Sequence, residues 1–583
     1  MVIVMEQATY VMENYEKKAP FAGFLPGLSG ICGTPIWCYY VNRGQCISSF
    51  GVEDKDHAIM EFFPAHQAYQ NTPLAGFRTF VKKDGKYLEL FRREETLKKM
   101  FVDMNGLAIE ELDEGEGLKT RIDYCTLPGE KTGALVRKVS ITNTSGQKVK
   151  LQVLDGMPIV IPFGVDLKSV KEMGQTTMAW MQAEDVESGV PYFKVRASMV
   201  DTAAVTEVLG GNYGLAVDKE GNKKKVIADP FLVFDYDTSL HVAEGFKNKE
   251  FGALLAAEQV VSNQYPCCFF AEEKELAKGE SIVLYEMIGQ VGSRKRLQKL
   301  LEKKLDGAYF EEKYKEAAQL PLTLCSVIET KTADPAFDAY STYTYMDNVL
   351  RGGYPVKLPG GRIFHVYSRK HGDLERDYNY FRMLPEFYSQ GNGNFRDVNQ
   401  NRRCEPFFTP YVGANSIVKF YSLIQLDGYN PLAVEKVTYT VPKEQTQKIF
   451  GSLADRQKEE LAEFLSKPFT PGAFFGKMDE LGIEDMEQEQ AYFAKVMEQA
   501  TEEINADFGE GYWSDHWTYN LDLIENYLNI FPEKEEEVLF HTPVTYYRTQ
   551  VPILPRRKRY VVTENGLRQY NFLDEKKKVS GED

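Results

Sequence analysis

Two hydrophobic rhythms divide the chain. Up to about residue 290, apolar residues come in short β-branched and aromatic runs separated by Gly, Asn and Asp turns, the pattern of half-buried strands. Residues 148–154 are the clearest case, with Val149, Leu151 and Val153 on one face. In the run before it, 135–141, Leu135, Val139 and Ile141 share a face with Arg137, so the alternation is noisy, and a turn over 142–146 joins the two. Further strands are expected over 37–50, 77–81, 87–91, 231–236 and 282–289. Many strands at short spacing, with long loops, predict a large β-sandwich over residues 1–290.

From Ser293 the period lengthens. Leu297, Leu300, Leu301 and Leu305 recur at helical spacing, and 309–320 continues in the same style, so 291–322 reads as a helical linker with a solvated basic face. Residues 323–583 read as mainly helical. Asp334-Pro335 is a capped helix start, and helices are expected over 417–424, 443–465 and 483–505, with a turn at 427–431. Trp517, Leu521, Ile524 and Leu528 predict another helix that begins near Asp515 and turns this stripe inward. Paired helices joined by long loops suit an α/α toroid. Twelve helices of about 11–12 residues each, with their connections, need more chain than follows residue 323, so the toroid is expected to be incomplete. The basic run Arg556-Arg557-Lys558-Arg559 and the nearly apolar-free 574–583 fit either a disordered terminus or a chain that stops before its last domain is finished.

Composition removes some function classes. The net charge of −16 and pI of about 5.2 argue against nucleic acid, whose phosphates need clustered Lys and Arg, and against an anionic membrane surface. Eight cysteines and seven histidines are scattered without ligand spacing, so no metal site is expected, and buried free thiols are. No apolar run approaches a membrane span, and the first residues lack the features of a signal peptide; a cytoplasmic protein is expected. The aromatic content of 13% is high, as in cores and in carbohydrate sites alike.

Two stretches carry candidate chemistry. In 508–528, Trp513 and Trp517 bracket Asp515, after Gly509 and Gly511. An indole stacks on the apolar face of a sugar ring, and a carboxyl group beside it can protonate a glycosidic oxygen. The competing reading makes Ser514 or Asp515 a helix cap, and a helix N-terminus favours the ionised carboxylate. In 388–409, Gln390, Asn392, Asn394, Arg396, Asp397, Asn399, Gln400, Asn401, Arg402 and Arg403 surround two glycines. So dense a set of amides and guanidinium groups suits a polyhydroxylated ligand, and equally a polar surface loop with a local ion pair.

These stretches carry a resemblance. Phe395-Arg396-Asp397-Val398-Asn399-Gln400-Asn401 resembles the Arg-Asp-x-x-Gln-Asp motif of inverting glycoside phosphorylases related to cellobiose phosphorylase, in glycoside hydrolase family 94 with families 149 and 161 akin. Trp513-Ser514-Asp515-His516 is similar to that group's Trp-Asn-Asp-Gly. Residues 40–51, 334–340 and 427–431 also look familiar from it, in the same order. The resemblance implies a mixed fold, β then α: an N-terminal β-sandwich, a helical linker and a partial (α/α)6 barrel over 323–583. It implies Asp515 as general acid, with Arg396, Asp397, Asn399, Gln400, Asn401 and Trp513 binding sugar. Inorganic phosphate is the implied co-substrate, no other cofactor is expected, and a homodimer is an expectation. The chain departs from the pattern at Asn401, where the family has Asp, and at His516, where it has Gly; the second departure leaves room for a general acid beyond Asp583. The family's phosphate-binding residues lie mostly beyond the end of this chain, so phosphorolysis by the 583 residues alone is expected to be weak or absent.

The implied reaction is phosphorolysis of a β-linked gluco-oligosaccharide, of cellobiose or β-1,3-glucan type, giving α-glucose 1-phosphate with inversion. Two alternatives stand beside it. An inverting hydrolase needs a second carboxylate to activate water, with Glu405, Glu510 and Asp377 as candidates. A non-catalytic glucan-binding fragment or subunit needs neither.

Overall fold

The computed structural model describes residues 2–4, 9–198, 203, 206–370, 381–426, 428–507, 514–547 and 554–569. It divides into two compact units, Met1–Leu350 with Lys370–Gly391, and Arg351–Arg369 with Asn392–Asp583.

The N-terminal unit is built on three antiparallel sheets. The largest has ten strands, and its centre is Gly106–Asp113, Leu118–Thr126, Gly133–Asn143, Ser281–Val291 and Gly211–Val217 in spatial order. A five-stranded sheet is centred on Val149–Met157, flanked by Cys268–Leu276 and Arg78–Lys83. A four-stranded sheet contains Trp37–Val41 and Ile47–Gly51. Alternate residues of all three turn into one core, where Phe50, Ile109, Ile122, Val139, Leu151, Val153 and Phe270 are buried together. Closely packed apolar area of this extent supplies most of the folding free energy.

Arg137 is the exception in that core. It lies on the inward face with Leu135 and Val139, yet it is only 1% exposed. Its guanidinium bonds Asp155 of the five-stranded sheet and, at 2.7 Å, Glu286 of the neighbouring strand in its own sheet. Gln45, from the loop after Trp37–Val41, accepts another of its hydrogen bonds. The noisy alternation in the sequence is therefore a buried ion cluster joining two sheets.

The outer face of the ten-stranded sheet is covered by Arg294–Leu301 and Gly307–Cys325. Leu297, Leu300, Phe310 and Ala317 pack there on Val136, Leu215 and Met287. Ser293 and Asp306 cap the two helices. The expected strand at 231–236 is instead the helix Pro230–Phe234: Asp229 accepts a hydrogen bond from the Phe231 amide, and Pro230 fills the first helical position.

The C-terminal unit mixes helices with a three-stranded antiparallel sheet of Gly393–Asn394, Ala433–Thr440 and Thr501–Asp507. No closed toroid is formed by the described residues. The helix expected over 483–505 ends at Gln499, and its last residues are the strand Thr501–Asp507. The helix expected over 443–465 is two, Lys443–Ile449 and Asp455–Leu465. These two, with Pro471–Glu480 and Met486–Gln499, form a helical insertion between two paired strands, and Leu461, Phe474, Phe475, Phe493 and Val496 are buried in it. No helix among the described residues is long and apolar enough to cross a membrane.

Candidate active site

The helix Phe395–Arg402 carries most of the polar loop's candidates. Asn394 precedes it without a side-chain cap; its amide donates instead to Asp397 Oδ2 at 2.9 Å. Arg396 Nε donates to Asp397 Oδ1 at 3.2 Å. Asp397 is thus held from two sides, while Arg396 keeps a half-exposed guanidinium. Asn401 folds back onto the Asp397 carbonyl, 2.6 Å away. Gln400 is exposed and Asn399 fully buried, so the helix separates residues that are adjacent in sequence.

The second element is the helix Asp515–Ile530. Ser514 occupies the cap position but makes no side-chain cap hydrogen bond, and Asp515 is half-buried in the first turn. The buried face is His516, Asn520, Leu523 and Tyr527. The expected stripe of Trp517, Leu521, Ile524 and Leu528 is rotated away from the interior: Leu521 is 51% exposed, and Ile524 and Leu528 only flank the core. The rotation follows from a polar seam that apolar periodicity does not count. Asn399 Nδ2 donates to Asn520 Oδ1 at 2.6 Å, and Asn520 Nδ2 donates to Asn430 Oδ1 at 3.0 Å. Three amides thus tie the two helices and the turn after residue 427.

The helices begin side by side. The His516 and Phe395 rings are 5.3 Å apart. Burial lowers the His516 pKa, Asp515 and Asp397 raise it, and Arg396 adds to the lowering. His516 is 4% exposed, and its Nδ1 has no hydrogen-bond partner among the described residues. Asp515, His516, Arg396 and Asp397 therefore share one electrostatic neighbourhood.

Behind Phe395–Arg402 lies a charged network. His365 Nε2 is 2.8 Å from Glu405 Oε1, and Ser416 donates to Glu405 Oε2 at 3.3 Å. Lys419 Nζ meets Glu502 at 2.9 Å and the Ile363 carbonyl at 3.0 Å. Arg402 donates to the Gly352 carbonyl at 2.6 Å. Burial, with Arg402 nearby, takes the His365 pKa down to about 4 despite Glu405, so the imidazole is neutral at pH 7. Burial likewise brings Arg402 down to about 10. Arg403 points elsewhere, to an ion pair with Asp522.

No protein-family model matches the chain, and no curated protein does. Solved structures align weakly. A bacterial glucoamylase complexed with acarbose covers 82% of this chain at 11% identity, with a TM-score of 0.35. A polysaccharide lyase covers 46% at 14% identity and a TM-score of 0.27. A chain described as a kojibiose phosphorylase from the human microbiome covers 58% at 8% identity and a TM-score of 0.21. This chain spans 65%, 34% and 32% of their respective lengths. All three names come from carbohydrate chemistry, and none is cellobiose phosphorylase. At these scores the alignments carry no argument about this chain's site.

Of the residues singled out in the sequence, the fold brings Arg396, Asp397 and Asp515 within electrostatic reach of His516. It turns Asn399 inward, folds Asn401 back on its own helix and leaves Gln400 in solvent. Trp513, Glu510 and Asp377 lie outside the described residues. Glu405 has both carboxylate oxygens engaged. The residues that sequence reasoning missed are Asn430, seen only as part of a turn, Asn520 and, as more than a departure from a motif, His516. Asn520 could have been found from its place four residues after His516 on one helix face. Among the described residues no group of three or more His, Cys, Asp or Glu is disposed to hold a metal ion.

Proposed function

We propose that the protein acts on β-linked gluco-oligosaccharides by inverting phosphorolysis, with Asp515 as the general acid. The observation that supports this reading is the meeting of two helix starts at His516, whose ring lies 5.3 Å from that of Phe395 and which feels the charges of Asp515, Arg396 and Asp397 together. Arg396 and Asp397 bind adjacent hydroxyls of the terminal sugar through paired contacts, and Gln400 has an exposed amide available to a further sugar unit. Trp513 supplies the stacking wall. Asn399 and Asn401 act indirectly: one ties the two helices together, the other holds the Asp397 backbone.

In the reaction Asp515 gives its proton to the glycosidic oxygen. The C1–oxygen bond breaks as a phosphate oxygen attacks C1 from the opposite face. The products are α-glucose 1-phosphate and an oligosaccharide shortened by one unit. Hydrolysis on the same site needs a carboxylate to activate water; of the three candidates Glu405 is engaged by His365 and Ser416, and Glu510 and Asp377 lie outside the described residues.

The test is incubation of the natural gene product with cello- and laminari-oligosaccharides, with and without phosphate. Glucose 1-phosphate formed only with phosphate is the expected result. Asp515→Asn should lower turnover at least about 100-fold while sugar binding persists. Free glucose released without phosphate would replace this reading with hydrolysis, and unchanged turnover in Asp515→Asn would remove the general acid.

A further inference from the structure

The helical insertion carries a groove of about 450 Å³, lined by Lys448, Ser452, Gln488, Ala491, Tyr492 and Lys495 among others. It lies between Lys443–Ile449 and Met486–Gln499. Its polar lining consists of ammonium, hydroxyl and amide groups, with no carboxylate, in a chain of net charge −16. The cations of the insertion are distributed unevenly. Arg456, Lys458, Lys467 and Lys477 all form ion pairs with neighbouring carboxylates, and Lys443 lowers the pKa of Glu463. Lys448 and Lys495, the remaining two, have no ion pair among the described residues, and both line the groove.

The hydroxyls add direction. Ser452 Oγ and Tyr492 Oη are 2.6 Å apart. One proton is used between them, and the other hydroxyl proton is left to donate into the groove. Tyr492 is itself buried, with its ring 4.9 Å from that of Phe450, so its hydroxyl is fixed. A side-chain atom added at Gly451 would meet nothing within 4 Å, so the groove is open on that side.

We infer that this groove binds a small phosphate-bearing anion. Two point charges with hydroxyl and amide donors match a dianion that offers several acceptor oxygens, and the volume suits a ligand the size of a sugar phosphate. The inference stands apart from the role given to Asp515, because it uses other residues on another element.

Lysine footprinting reads the site directly. The protein is labelled with an amine-reactive reagent in rising concentrations of inorganic phosphate or glucose 1-phosphate, with sodium chloride at matched ionic strength as control, and peptides are quantified by mass spectrometry. Saturable protection of Lys448 and Lys495, with Lys458 and Lys467 unaffected, is the expected result. In Lys448→Gln, half-protection of Lys495 should need at least about tenfold more ligand. Both lysines are exposed, so the variant keeps its fold. Equal protection of all four lysines, equal protection by chloride, or a Lys495 response unchanged in Lys448→Gln would overturn the inference. None of these readouts depends on turnover, so a failure here is distinct from a failure of Asp515.

Discussion

The N-terminal unit buries Arg137 against Asp155 and Glu286 at the meeting of two sheets, whereas the C-terminal unit buries three asparagines and a histidine where two helices start. In the first case the guanidinium faces two carboxylates, and the leftover buried groups in that unit are, besides Glu286 Oε1, mostly hydroxyls such as Ser29, Tyr39, Thr126 and Tyr213. In the second, Asn399 Oδ1, Gln425 Oε1, Asn430 Nδ2 and His516 Nδ1 have no partner among the described residues. A hydroxyl can rotate towards whatever acceptor is near, but an amide or imidazole held in place presents a fixed vacancy. Unsatisfied groups of that kind cost free energy in a core and become useful beside a ligand. The difference separates polarity that joins two sheets from polarity left partly unpaired between two helices.

Arg137→Met would break that contrast most sharply. It leaves Asp155 and Glu286 buried without their cation, and about 3–5 kcal/mol of stability should be lost in urea unfolding. A loss under about 1 kcal/mol would mean that Glu286, whose pKa is pushed up by burial and by Asp155, already absorbs the imbalance as a neutral acid.

The next largest effect concerns His365. Its unfolded imidazole takes a proton near pH 6.5, the folded one at about 4. Between these values the unfolded state holds more protons, so stability is fully present above pH 6.5 and falls as the pH drops towards 4, by up to about 3 kcal/mol. His365→Asn should flatten this slope in unfolding curves taken across that window; an identical slope would assign the acid sensitivity elsewhere.

Asn520→Leu should cost about 2 kcal/mol by leaving Asn399 and Asn430 without their shared partner. It sharpens the contrast if sugar binding also weakens, since the two helix starts are then held apart. Loss of stability with unchanged sugar binding would make the amide seam purely structural.

How much of this is legible in the sequence depends on how local the cause is. The strands around Val149 and Ile282 follow period-two alternation because one face of each meets a continuous core. Arg137 reads as noise only because its partners stand 18 and 149 residues away along the chain. Pro230–Phe234 reads as a strand because four apolar residues in a row fit strand and helix alike, although Asp229-Pro230 already carries the helix start. Thr501–Asp507 has no local signal: its partner strand Ala433–Thr440 lies across the whole helical insertion. At the candidate site the helix that begins near Asp515 is legible. The face of that helix is not, because Asn520 is buried by hydrogen bonds rather than by hydrophobicity.

That insertion leaves and re-enters the sheet at Thr440 and Thr501, which are register partners. The sheet therefore closes this excursion like a clasp, and the chain could be shortened across it by a tight hairpin without moving any other strand. An anion held in the groove would steady the excursion while leaving the seam between the helix starts untouched, so the two kinds of occupancy can vary independently within one unit.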